Sequence, residues 1–361
     1  MRKTINKLFL IITVISALLL TTGCDLFIKT NKGQVDQKWY MGLTYEDDNG
    51  NDTDYTIGTD GTIAAVALED GYGDEFGIIK GEEAYLNINT IIKNIDKRFY
   101  VDATNNLVMF TDATKTYKTK IGGKTINETE NTDYVISFMD GKNCYVNVKF
   151  VKKYVDFDYK VVKAEGKSPA RIVLKYTSGE KNQMTVKSNI EMRTKADYQN
   201  LIVTTLKKNT KVTVLEESGD WTKVGTDDGF MGYVPAKKLK DKETKKTEFK
   251  SDADTYTHVL MNKKISLGWN AITNLTANGN LETIIEHTKG LNVISPTWYS
   301  LSDNKGNLRS YASATYVEKA HSKGLKVWAL VNDFGTQDKA SKEYTKKVLT
   351  DTTKRENLVD N

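Results

Sequence analysis

The sequence predicts a multidomain chain: an α+β module with an internal repeat, a small all-β module, and a C-terminal stretch in which strands and helices alternate. Three observations predict it. The run Ala84–Lys93 aligns with Cys144–Lys153 at an offset of 60 residues. Between 184 and 241, short alternating apolar–polar runs are separated by glycines and acids, the pattern of tightly turned strands. From Lys264 to Phe334, three compact apolar runs are separated by two segments of helical periodicity, which implies a parallel sheet covered by helices.

The chain begins with a basic start (Arg2, Lys3, Lys7), an apolar run from Leu8 to Leu20, and Thr21-Thr-Gly-Cys24. The apolar run is too short to span a bilayer comfortably and fits the core of a secretion signal over residues 1–24. The small residues before Cys24 resemble a bacterial lipobox, although Thr21 stands where leucine is usual. That resemblance implies a lipid on Cys24, a mature protein starting there, and anchorage at the outer face of the cytoplasmic membrane without spanning it. The formal charge is +5, and removing the signal's three cations leaves about +2. No Lys/Arg run is free of interleaved acids, so the sequence gives no support for nucleic-acid binding. With Cys24 lipidated, Cys144 is the only other cysteine. It alternates with Val146 and Val148 and reads as a small buried residue rather than a reactive thiol.

Residues 38–176 read as one α+β module. Its first part is rich in Asp, Asn, Gly and Thr. Asp47–Asp54 superficially suggests a calcium loop, but Gly58 stands where the EF-hand glutamate belongs, so an acidic turn is expected. The repeat follows in two units, near 84–110 and 144–174. Each reads as a strand, a short helix, then a hairpin whose second strand is Leu107–Phe110 or Arg171–Leu174. The paired units resemble the N-terminal stalk module of copper amine oxidases, a spacer or adaptor in secreted bacterial proteins. The likeness implies no copper here. The first histidine of the chain is His258 and one unpaired cysteine makes no thiolate cluster, so neither a metal nor a cofactor is expected.

In the segment 184–241, Ile190–Ala196, Lys207–Leu215, Gly219–Val224 and Gly229–Val234 are expected strands. The segment resembles a bacterial SH3 domain, a small barrel of five or six strands, and the resemblance implies binding of cell-wall peptide or glycan. Tyr198, Trp221, Phe230 and Tyr233 are the candidate contacts, because aromatic rings stack on sugars and flat peptide groups. The competing reading of Trp221 and Tyr233 is that they fill a barrel too small to be stable without large side chains. Residues 242–257 are charged, lack apolar periodicity and read as a linker.

In the last segment, 258–361, the strands are Ile265–Trp269, Leu291–Ser295 and Leu325–Val331, and the helices lie in 280–289 and 311–323. Gly290 and Gly324 sit at expected helix C-caps. The phrases Leu291-Asn-Val-Ile-Ser-Pro-Thr-Trp-Tyr-Ser-Leu301 and Tyr316–Val331 resemble the start of bacterial family-18 glycoside hydrolases, in the branch acting on cell-wall and spore-cortex glycans. The resemblance implies the first three β/α units of a (β/α)8 TIM barrel, left incomplete in this chain. Its substrate would be peptidoglycan or another N-acetylated cell-wall glycan. Ligand-facing positions in such a barrel are the C-terminal strand ends. Trp269, Trp298 and Asn332 stand there as candidate substrate contacts, with inner-layer packing as the alternative for the tryptophans. The family's Asp-x-x-Asp-x-Asp-x-Glu signature is absent, since no Asp is followed by another three positions on. No catalytic residue can be named, and the chain is expected to be inactive and cut off before its chemistry. His287 and His321 fall on helices away from the expected site, and Asp333 is the only carboxylate at a strand end.

Overall fold

A computed structural model describes residues 30–250, 262–333 and 340–361. The expected signal segment with Cys24, the last residues of the expected linker, and Phe334 lie outside the described residues. The secondary structure is mostly strand with a few short helices. The chain divides into two compact units, one of 1–99, 122–125 and 130–253, the other of 100–121, 126–129 and 254–361.

The first unit contains two seven-stranded sheets. One runs in the order Ser137–Asp140, Asn143–Asn147, Glu83–Asn87, Gly77–Lys80, Thr62–Ala67, Ala170–Lys175, Asp158–Val162. At its centre the two repeat units meet antiparallel, with Leu86 opposite Val146 flanked by Tyr85–Asn147 and Asn87–Tyr145 pairs. Leu86 and Val146 are 60 positions apart and the flanking pairs interchange equivalent residues of the two units, so a local pseudo-twofold axis runs between Leu86 and Val146. The flanking hairpins repeat the relation, with Ile78 opposite Tyr85 and Phe138 opposite Tyr145. Asn87 and Asn147 are fully buried, and each caps the short helix that follows by accepting from the amide two residues on. The expected second strands part company. Ala170–Lys175 joins this sheet parallel to Thr62–Ala67, whereas Leu107–Thr111 belongs to the other unit.

The second sheet runs Ile202–Leu206, Ile190–Arg193, Met231–Pro235, Trp221–Gly225, Lys211–Ser218, Gly179–Val186, Leu239–Thr247. The charged segment read as a linker is strand through Thr247. It pairs with Gly179–Val186 in a long antiparallel ribbon, Gly179 opposite Thr247. It escaped the sequence reading because seven of its nine residues are exposed, so it has no apolar face and is held by main-chain bonds and cross-strand partners. The core of this sheet (Val186, Met192, Val203, Val212, Val224, Val234, Leu239) also takes in Val35, Met41 and Leu43 from the N-terminal segment and Ala65 from the neighbouring sheet. Gly229 sits at the closest approach of the two sheets. Its φ is +86°, and a Cβ there would lie 2.8 Å from Val173 Cγ2 and 3.1 Å from Ala67 Cβ. Cys144 is buried, and burial pushes its thiol up to about 12.

In the second unit, Leu267–Asn270, Val293–Pro296 and Lys326–Val327 form a parallel sheet in sequence order. The helices Leu281–Glu286 and Ala314–Ser322 lie between the strands in sequence. Gly290 and Gly324 have φ of +76° and +74°, the left-handed geometry of helix ends. One face of the sheet packs Ile294 and Val327 against Leu281, Tyr316 and Ala320. The third strand runs on beside the second, the amides of Trp328 and Leu330 donating to the carbonyls of Ile294 and Pro296 at 3.0 and 2.9 Å. It then pairs as Val331–Asn332 with Tyr299–Leu301 in a separate sheet. No closed barrel forms among the described residues. This unit also holds the antiparallel strands Leu107–Thr111 and Thr116–Lys120, taken from the repeat module. No described helix is long and apolar enough to cross a membrane.

Candidate functional site

The aromatic candidates of the small all-β module do not form one surface. Trp221 opens its strand after a turn at Gly219, whose φ is +58°. Thr222 and Val224, on the other face, are buried; Trp221 is half-buried, with Tyr198 edge-on at 4.8 Å between ring centroids. Tyr233 lies opposite Lys223, two pairs along from Trp221 opposite Pro235, so Tyr233 and Trp221 share this outer face. Phe230 departs from the set. It is 8% exposed, belongs to the core and lies under the Arg171 guanidinium at 4.2 Å. It follows Gly229 at the crowded turn between the sheets, so its ring closes the seam instead of facing solvent.

What holds Tyr198 in place is Arg193, which the sequence reading did not single out. Arg193 is 2% exposed yet carries a charge. One guanidinium nitrogen donates to the carbonyls of Asn31 (2.8 Å), Tyr198 (3.0 Å) and Asn200 (2.7 Å), and the other reaches the Glu191 carboxylate. The loop 194–201 and the N-terminal segment are thereby gathered around one planar cation. The Asn31 backbone N–H donates to the Tyr198 carbonyl, and Gln34 bridges in parallel to Ile202. The result is a shallow outer face with Trp221 and Tyr198 in contact and Tyr233 on the same side of the sheet. Tyr40 donates to the Met231 carbonyl, and burial, then Tyr233, pushes its hydroxyl up to about 12.

The candidates of the parallel sheet are also divided. Trp269 is 77% exposed. Trp298 is 4% exposed and packs edge-on to Tyr316 at 5.1 Å, its indole N–H donating to Asn278 Oδ1 at 2.8 Å. Trp298 is therefore a core residue on the helix-covered side and not the wall of a sugar subsite. The chain turns after Pro296, where the Trp298 amide bonds back to the Pro296 carbonyl, and the ring is carried under the helices. Asn332 sits opposite Ser300 in the separate sheet, past the end of the parallel strands. The tryptophan that does join Trp269 is Trp328, which the sequence reading passed over. Trp269 stands opposite Ser295, and Trp328 follows Val327, the partner of Ile294. Trp269, Ser295 and Trp328 thus fall on the face away from the helices, the two tryptophans on backbones two strand spacings, about 9.6 Å, apart. Alternation along Lys326-Val-Trp328 was the signal that could have found it. His287 and His321 are exposed, and Asp333 accepts a hydrogen bond from Thr345 at 2.8 Å. Among the described residues no cluster of three His, Cys, Asp or Glu side chains could hold a metal.

Compared with known proteins, residues 188–240 match the family described as bacterial SH3 domain. The match spans the aromatic face and most of its sheet, but not the Gly179–Val186 strand or the end of Leu239–Thr247. No curated protein and no solved structure matches the chain.

Proposed function

We propose that this is a secreted cell-envelope protein, lipid-anchored at Cys24, that binds peptidoglycan or another N-acetylated wall glycan through its SH3 domain. The observation that carries the reading is the outer face of that domain, where Tyr198 and Trp221 touch and Tyr233 lies beside them, the kind of surface on which sugar rings and peptide planes stack. The family match supports the class of partner, since bacterial SH3 domains commonly bind cell wall. The test is co-sedimentation of the chain with purified peptidoglycan. Binding should fall by roughly tenfold or more in the Tyr198→Ala/Trp221→Ala variant, as for other central aromatic contacts. Equal pelleting of variant and parent would overturn the assignment of this face. In the same cells an alkyne fatty acid should label the protein, and labelling that survives Cys24→Ala would remove the lipid anchor.

A second reading makes the C-terminal unit the beginning of a family-18 glycoside hydrolase acting on the same glycans. It is favoured by the parallel order of Leu267–Asn270, Val293–Pro296 and Lys326–Val327 with helices between them, the order that the resemblance implies. Trp269 and Trp328 would then contact sugar. The signature acids are absent from the sequence, so the chain is expected to bind glycan without releasing reducing ends.

A further inference from the structure

The N-terminal segment joins the SH3 domain at the foot of its aromatic face. Asn31 is held there from three sides. Its N–H donates to the Tyr198 carbonyl at 2.9 Å, its carbonyl accepts from Arg193 at 2.8 Å, and its Nδ2 donates to the Gln199 carbonyl at 3.1 Å. The chain then follows the edge of Ile202–Leu206, the Ile202 N–H donating to the Gly33 carbonyl and the Val35 N–H to the Ile202 carbonyl, both at 2.9 Å. Gln37 Nε2 donates to the Val203 carbonyl at 2.8 Å, and the Val35 side chain belongs to the core. Peeling this segment away would break these bonds together and expose a core side chain, so Asn31 is a fixed point beside Tyr198. Cys24 lies seven positions before Asn31. That stretch of chain reaches at most about 25 Å, whatever its conformation. With a lipid on Cys24, Asn31 stays within about that distance of the membrane surface, and the Tyr198–Trp221 contact stays beside it.

We propose that the aromatic face binds its glycan at the membrane surface, the partner being N-acetylated glycan carried on a lipid of the same leaflet, before it joins the mature wall. This rests on the reading of Cys24 as lipidated and of the face as wall-binding, and adds where the partner must be. Wall strands farther out than the tether lie beyond the reach of a face pinned at Asn31, whereas glycan on a lipid shares its layer. Confining both to one layer raises their effective concentration without any new contact, which offsets the small area that a shallow face offers.

The experiment couples the chain from residue 24 through the Cys24 thiol to maleimide-bearing lipid in vesicles. Cys144 is buried and its thiol is pushed up to about 12, so coupling is confined to Cys24. The vesicles carry a polyethylene glycol brush taller than the tether and, beneath it, an N-acetylglucosamine tetramer joined directly to a phospholipid. A photo-crosslinking residue in place of the exposed Lys195 should label that glycolipid roughly tenfold or more above the level in the Tyr198→Ala/Trp221→Ala background. Vesicles without the glycolipid should not co-sediment with purified peptidoglycan, which the brush holds off. Inserting a Gly/Ser segment several times longer than the tether between Lys29 and Thr30 should make them co-sediment. Parent vesicles that pellet as readily as the extended ones, or glycolipid labelling no higher than in the double variant, would overturn the proposal alone, provided the uncoupled chain pellets with peptidoglycan. If the uncoupled chain does not pellet, or if fatty-acid labelling in cells survives Cys24→Ala, the underlying reading falls and the proposal with it.

Discussion

Asp102 shows how far one carboxylate can organise its surroundings. It is 1% exposed in the second unit, and its Oδ2 accepts from the Thr352 amide at 2.6 Å, the Thr352 hydroxyl at 2.5 Å and Asn105 Nδ2 at 2.9 Å. Burial alone would raise its pKa, but these donors outweigh it and hold the group at about 2. The folded value lies below the unfolded one, so the stabilisation is complete above about pH 4 and is lost as pH falls toward 2. Its size is on the order of 2 kcal/mol. Asp102→Asn should therefore destabilise the chain at pH 7 and flatten the acid limb of stability against pH. Denaturant unfolding at pH 7 and pH 3 checks this, and an unchanged pH dependence would remove Asp102 from the account. Nothing in the sequence marks Asp102, because its partner Thr352 lies 250 positions away. Arg193 was hidden for a like reason, since three of its acceptors are backbone carbonyls that no composition reveals. Cys144, by contrast, was legible, because alternation along a strand states which residues share a face.

At the scale of elements, strands with an apolar face were legible and strands without one were not. Ile190–Arg193 falls within an expected run and Trp221–Gly225 and Met231–Pro235 overrun theirs by one residue, whereas most of the exposed Leu239–Thr247 read as linker. This ribbon strand, together with Val35, Met41, Leu43 and Ala65, bears on whether 184–241 can fold alone, as the sequence suggests for a small barrel. The segment lacks those four core side chains and most of the ribbon. Burial of such side chains contributes about 1.5–3 kcal/mol each for the larger ones, a large part of a domain's stability of about 5–15 kcal/mol. The isolated segment 184–241 is thus expected to unfold at markedly lower denaturant concentration than 30–250. Coincident midpoints would show that the shared core contributes little.

For the whole molecule, the units are not continuous in sequence, since 100–121 joins the C-terminal unit. There, besides Asp102, Lys118 pairs with Glu356, and the Arg355 guanidinium stands 5.3 Å from the Tyr100 ring centroid. A fragment 258–361 lacks these partners of the terminal helix Thr352–Asp360. It also exposes Trp269, Trp328 and Val331 at 77%, 43% and 56%. Expressed alone it should be aggregation-prone or loosely ordered. A cooperative thermal transition in soluble, monomeric 258–361 would contradict this. What the sequence by itself determined was local and periodic: the 60-residue repeat whose halves meet at Leu86 and Val146, the β-rich SH3 module, and the strand–helix order of the last hundred residues. These follow from patterns within a few neighbours along the chain. Only the tertiary structure decided which aromatic rings reach solvent, placing Trp328 outside and Trp298 and Phe230 inside. It likewise decided that residues 100–121 serve the C-terminal unit. Those outcomes depend on contacts between segments tens to hundreds of residues apart, which no local pattern encodes.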